Sequence, residues 1–164
     1  MIFNIMSRFD AEIESKNRDM PTTLVISITE EGSPYPEFDL ENPNIIDILF
    51  VQFNDVNADE PFPITEEHAK AIIEKYNLYK DKVERILVHC EAGVSRSAGV
   101  CAALMKIHDG DDMPIFSQAK YCPNMTCYRA ILNEYYGKYD EEDAQRKWSI
   151  NTKAYLKKEG LLDD

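Results

Sequence analysis

Nowhere in this chain of 164 residues do 18 apolar residues run together, so no membrane-crossing helix is expected. The first ten residues lack a basic start followed by a long apolar segment, and no secretory leader is expected either. Histidine is scarce. His68, His89 and His108 stand far apart without the spacing of a zinc site, so neither a metal nor an organic cofactor is expected. Four cysteines in a chain this long do not make a disulfide framework, which fits a reducing, cytoplasmic setting. Cys101, Cys122 and Cys127 read as small packing residues. Internal repeats and low-complexity tracts are absent. Lysine and arginine vanish altogether from residues 19–69, which carry twelve acidic residues. The remainder holds 18 of each sign, so the whole net charge of −12 lies in that one stretch. Such a surface repels polyanions, which argues against nucleic acid and anionic membrane as partners.

What is present is enough apolar residue, 44% of the chain, to bury the core of one domain over residues 1–164, expected as a monomer. Ile2-Phe3-Asn4-Ile5 and the β-branched Thr23-Leu24-Val25-Ile26-Ser27-Ile28 read as strands, as do residues 45–53 and 85–88. Residues 32–44, with Pro34, Pro36 and Pro43, read as a loop near a site rim. Thr65 is a good N-cap for a helix whose apolar stripe is Ala69, Ile72, Ile73 and Tyr76. Further helices are expected over residues 96–108, ending near Gly110, from Pro114, and over residues 124–136. After Gly137 the chain becomes charged, with an amphipathic helix expected around residues 148–156 that docks on the core through Trp148 or binds a partner. Strands alternating with helices predict an α/β fold, a mostly parallel sheet of four to five strands with helices on both faces.

The most informative segment is His89-Cys90-Glu91-Ala92-Gly93-Val94-Ser95-Arg96-Ser97, lying between an apolar strand, Ile86-Leu87-Val88, and a helix. At a strand-to-helix junction backbone N–H groups converge on an anion. Five residues between Cys90 and Arg96 suffice to wrap a tetrahedral anion, and Gly93 tolerates the positive φ of such a wrap. Residues 91–96 would bind phosphate through Glu91, Ala92, Gly93, Val94 and Ser95, with the Arg96 fork gripping two oxygens. Cys90, among these donors at a helix N-terminus, should be a thiolate nucleophile that needs no adjacent base. Ser97 can donate to its sulfur. His89 should support the loop through a backbone hydrogen bond.

This string resembles the signature of the cysteine-based protein tyrosine phosphatases, and Glu91-Ala92-Gly93-Val94-Ser95-Arg96-Ser97-Ala98-Gly99 resembles their dual-specificity branch. The likeness spans residues 45–137. It implies a phosphatase acting on phosphotyrosine, and on phosphoserine or phosphothreonine, in a phosphorylated protein, through a phosphocysteine intermediate. It also implies a general-acid aspartate some thirty residues before the cysteine. Asp55, at a strand end in an Asn54-Asp55 turn, is favoured, and Asp59 is its competitor. Pro123-Asn124 matches a pair that buttresses the phosphate loop in that branch. Two alternatives stay open: an inositol-lipid or RNA 5′-phosphatase, disfavoured because no lysine stands among the variable loop positions, and a catalytically weak phosphate-binding module.

Overall fold

The computed structural model describes residues 1–163. Its elements run β1 (Ile2–Ser7), α1 (Arg8–Glu14), β2 (Thr23–Thr29), β3 (Ile45–Gln52), α2 (Glu66–Tyr79), β4 (Arg85–Cys90), α3 (Arg96–Asp109), α4 (Met113–Phe116), α5 (Met125–Tyr136) and α6 (Glu141–Lys158). The four strands form one all-parallel sheet in the order β1-β4-β2-β3. Every residue of β2 and β4 is buried. A parallel strand covered on both faces has to read as a nearly continuous apolar run, which is why these two segments stand out in the sequence.

The faces are unequal. Leu24, Ile26, Ile28, Ile86 and Val88 point into the main core, where α2 to α6 pack. Val25 and Leu87 alternate to the other face and meet Ala11 of α1. That second face is completed by residues 30–44, which have no helix. Phe38 stacks on Phe50 of β3 at 6.1 Å between ring centres, the Glu37 amide donates to Glu12, and the Asp39 amide to Ser15. The segment also reaches the carboxyl ends of the strands, where Phe38 meets the His89 ring edge-on at 5.6 Å. There the Glu31 amide donates to Asn54, and the Ser33 carbonyl accepts from Gln52.

Two local departures from the sequence expectation have plain causes. Residues 8–14 form a short helix, capped by the Ser7 hydroxyl accepting from the Asp10 amide. The C-terminal helix is longer than expected, starting at a capping Asp140, and it does not dock through Trp148, which is 55% exposed. Ala144, Lys147 and Asn151 face inward instead. Lys147 forms a buried ion pair with Asp112, whose other carboxylate oxygen accepts from the Tyr128 hydroxyl at 2.5 Å. The Asn151 amide donates to the carbonyls of Phe116, Gln118 and Tyr121. Of the cysteines expected to be packing residues, Cys101 and Cys127 are buried but Cys122 is exposed. Among the described residues no helix is long and apolar enough to cross a membrane.

Candidate active site

The loop that follows β4 leaves the carboxyl end of the strand lying between β1 and β2, the place where open α/β sheets bind ligands. Gly93 there has φ +71°, and a Cβ added to it would lie 2.6 Å from the Met6 carbonyl carbon and 2.6 Å from the Ser7 nitrogen. The loop therefore sits directly on the β1–α1 junction, where the Arg8 amide also donates to the Glu91 carbonyl at 3.1 Å. Only glycine supplies both the conformation and the space.

Cys90 is buried, with its Sγ 3.0 Å from the Ser97 hydroxyl. Burial alone would push the thiol pKa up. The Ser97 hydroxyl and the backbone N–H groups of Ser97, Gly93 and Val94 outweigh it and hold the pKa below its ordinary value. Arg96 is buried too. Its Nη1 donates to the Phe53 carbonyl at 2.9 Å, and among the described residues its Nε has no partner. A buried guanidinium donor left unpaired costs about 1–3 kcal/mol, and an oxyanion in the loop is a group that would satisfy it.

Ser95 occupies the N-cap of α3, yet its side chain caps nothing. It donates instead to Asp55 Oδ1 at 2.7 Å, and Asn124 Nδ2 donates to the same oxygen at 2.9 Å. The first N–H groups of α3 are thereby left to the loop rather than to a side chain. Asn124 is also the N-cap of α5, accepting from the Cys127 amide. Its backbone amide donates to the Ser95 carbonyl at 2.9 Å, while that of Cys122 donates to the Val94 carbonyl at 3.0 Å. This close seating of α5 on α3 depends on Gly99, where a Cβ would fall 2.3 Å from the Asn124 carbonyl oxygen. Asp59 makes no hydrogen bond to residues 91–97 among the described residues.

His89 lies beneath the loop, fully buried. Its Nδ1 is 3.0 Å from the Cys90 carbonyl and its Nε2 is 2.6 Å from the Ser27 hydroxyl. A carbonyl only accepts, so Nδ1 carries the proton and Ser27 donates to Nε2. Burial pushes the ring pKa down, which suits this neutral tautomer. Glu91 turns its side chain outward, 4.0 Å from Arg8. Sequence reasoning missed Ser27, Arg8 and the Phe53 carbonyl. A lone hydroxyl in the aliphatic run of β2 was the one available sign of the first. Among the described residues no group of three or more histidine, cysteine, aspartate or glutamate side chains is placed to hold a metal ion.

A family model described as the catalytic domain of dual specificity phosphatases matches residues 5–114, more than half of the chain, from β1 into α4. A search of curated proteins finds no match. Among solved structures, human DUSP28 is 17% identical, with 98% of this chain and 95% of that chain covered at a TM-score of 0.51. DUSP15 is 20% identical, with 90% of each chain covered at a TM-score of 0.54. At these identities the likeness is one of fold.

Proposed function

The chain belongs to the dual specificity phosphatase family of cysteine-based protein tyrosine phosphatases, and from that premise we propose that it cleaves phosphotyrosine monoesters in proteins through a phosphocysteine intermediate, with phosphoserine and phosphothreonine esters as further substrates. The observation that carries this reading is the convergence on Cys90 Sγ of one hydroxyl and three backbone N–H groups, within the loop that also holds Arg96.

In the first step the Cys90 thiolate attacks phosphorus and the bond from phosphorus to the ester oxygen breaks. Asp55 gives its proton to that leaving oxygen. Loop N–H groups and the Arg96 guanidinium stabilise the charge on the three equatorial oxygens, the largest contribution expected in phosphoryl transfer. In the second step water attacks the phosphocysteine, Asp55 takes its proton, and the sulfur leaves as a thiolate that receives the Ser97 hydrogen bond. The preference for Asp55 over Asp59 is supported by its tether to Ser95 of the phosphate loop and to Asn124. His89, held neutral between Ser27 and the Cys90 carbonyl, is a positioning residue. The phosphate loop offers no lysine for a second phosphate, and Glu91 opposes one, which supports a protein substrate over an inositol lipid or a triphosphate end. Free thiols throughout support a reducing, cytoplasmic setting, and we read the working unit as a monomer without metal or cofactor.

The test is turnover of para-nitrophenyl phosphate and of matched phosphotyrosine and phosphothreonine peptides by the native chain and by Cys90→Ser. Hydrolysis abolished in Cys90→Ser supports the reading. Phosphopeptide binding without turnover in the native chain would replace it with a phosphate-binding module.

A further inference from the structure

Two clefts lie side by side against the outer wall of α6. The first, of about 760 Å³, opens from Asp55 and Ser95 and is bounded on the far side by Trp148. The second, of about 430 Å³, starts at Val94 of the phosphate loop and continues along α6 to Tyr155. Cys122, Pro123, Met125 and Trp148 line both, so the two form one trough leading away from the candidate site. Each is within the size range of sites that hold ligand side chains.

Trp148 is 55% exposed and Tyr155 50% exposed on this wall. Neither ring is needed to dock α6, because the helix is fastened elsewhere. Lys147 pairs with buried Asp112, Asn151 serves three carbonyls, Lys106 pairs with Asp143 at 2.6 Å, and Arg129 grips Glu141 with two nitrogens. A large aromatic held in a fixed place, exposed and beside a reactive loop, is the kind of residue that anchors a bound chain.

We propose that this trough is a subsite for the substrate polypeptide next to its phosphorylated residue, and that Trp148, with Met125 and Tyr155 on the same lining, takes a bulky apolar side chain of that polypeptide. The proposal rests on the reading of Cys90 as the nucleophile and Asp55 as the acid facing the ester oxygen, since Asp55 and Ser95 line the near end of the trough. A mainly apolar and aromatic lining that runs on from Val94 of the loop after Cys90 selects the substrate polypeptide as the occupant. Asp55 and Glu60 line the near end, the guanidinium of Arg129 is already taken by Glu141, and Lys120, over the ring of Tyr121, is a further cation on the lining. With two acids set against Lys120 on its lining, the trough makes no basic track for a nucleic acid or an anionic lipid.

The test compares the native chain with Trp148→Ala and, separately, Tyr155→Ala on three probes: para-nitrophenyl phosphate, a phosphotyrosine peptide flanked by alanines, and a series of the same peptide with phenylalanine at each nearby position in turn. In the native chain at least one phenylalanine position raises kcat/KM about tenfold over the alanine peptide. In Trp148→Ala that advantage disappears, Tyr155→Ala reduces it, and para-nitrophenyl phosphate, which has no chain to lie in the trough, keeps its kcat/KM within about twofold. Equal losses on all three probes would make Trp148 merely structural and overturn the proposal. So would a native enzyme indifferent to flanking phenylalanine, or a Trp148→Ala effect seen only on a nucleoside monophosphate. Loss of the parent reading has a different mark, namely para-nitrophenyl phosphate turnover that survives Cys90→Ser.

Discussion

Replacing Gly93 by alanine tests whether the phosphate loop is held against the β1–α1 junction as described. Two costs add. A non-glycine residue at φ +71° sits in the left-handed region, where a Cβ costs roughly 1–2 kcal/mol. The new methyl would also lie 2.6 Å from the Met6 carbonyl carbon, 2.6 Å from the Ser7 nitrogen and 2.8 Å from the Met6 oxygen. These atoms cannot step aside as a side chain would, because Met6 and Ser7 are fixed by the β1–β4 ladder and Ser7 caps α1. Forcing a methylene-sized group into a packed place costs typically about 1–3 kcal/mol more. Gly110 is the control. It has φ +81° with nothing within 4 Å of an added Cβ, so Gly110→Ala carries only the conformational cost, partly offset by a stiffer unfolded chain. Urea titration should therefore show Gly93→Ala losing about 2–5 kcal/mol less the same offset, and Gly110→Ala about 1 kcal/mol or less. Activity separates the two further. The Gly93 N–H points at the Cys90 sulfur, and a preorganised donor displaced from a reacting centre costs roughly 10²–10³ in kcat. Stability losses alike in the two variants, with Gly93→Ala within about threefold of native kcat/KM, would refute this account of the loop.

Three other expectations follow from the same geometry. Ser97→Ala removes the hydroxyl that holds the Cys90 thiol pKa down. The acid limb of the kcat/KM–pH profile, and of alkylation by iodoacetamide, should then move to higher pH, and a limb that stays in place would show that the backbone N–H groups alone set the thiolate. Asp55→Asn should slow phenyl phosphate, whose leaving group needs a proton, by about 10²–10⁴ while slowing para-nitrophenyl phosphate much less. Asp59→Asn should do neither, and the reverse pattern would exchange their roles. Lys147→Met leaves the buried Asp112 carboxyl without its cation, a loss of about 3–5 kcal/mol by urea titration. The double variant with Asp112→Asn should lose less than that single change, because no uncompensated charge remains.

The same Asp143 that pairs with Lys106 gives α6 a pH dependence of known sign. Burial works against its ionisation, but hydrogen bonds from Lys106 and Arg146 and the charge of Lys147 hold its pKa down to about 2. A carboxylate with a folded pKa below its unfolded value of 3.8 stabilises fully above the unfolded value. It loses that contribution as pH falls through the window between the two. The docking of α6 should therefore weaken between about pH 4 and pH 2, followed by the fluorescence of the single tryptophan, Trp148.

Residues whose neighbours are close in the chain were legible. β2 and β4 are aliphatic runs, α2 has Thr65 before a regular apolar stripe, and the nine residues from His89 to Ser97 carry their spacing on their face. What failed in the sequence failed for identifiable reasons. The helix over residues 8–14 buries only Ala11, so it has no stripe to read. A helix that short is marginal without the packing that tertiary structure supplies. Hydrophobicity alone selects Trp148 for the inward face of α6. The true inward face is Ala144, Lys147 and Asn151 at i, i+3 and i+7, and its two polar members become acceptable only because Asp112 and three carbonyls meet them.

The site itself divides along the same line. Cys90, Gly93, Arg96 and Ser97 belong to one short loop, and their mutual arrangement follows from the turn that joins strand to helix. Ser27 and His89 are separated by 62 residues and become partners only because β2 pairs with β4 in a register that sets Ser27 opposite His89. A single-residue slip of that register would turn Ser27 to the opposite face of the sheet and leave His89 Nε2 buried without a donor. The Cys90 carbonyl would still require the proton on Nδ1, but the lone pair on Nε2 would lose the group that satisfies it. The hydrogen-bond satisfaction of the ring beneath Cys90 thus depends on strand pairing, and strand pairing is set by the whole core. A local motif therefore announces a thiolate, while the environment that keeps its loop in place is a property of the assembled sheet.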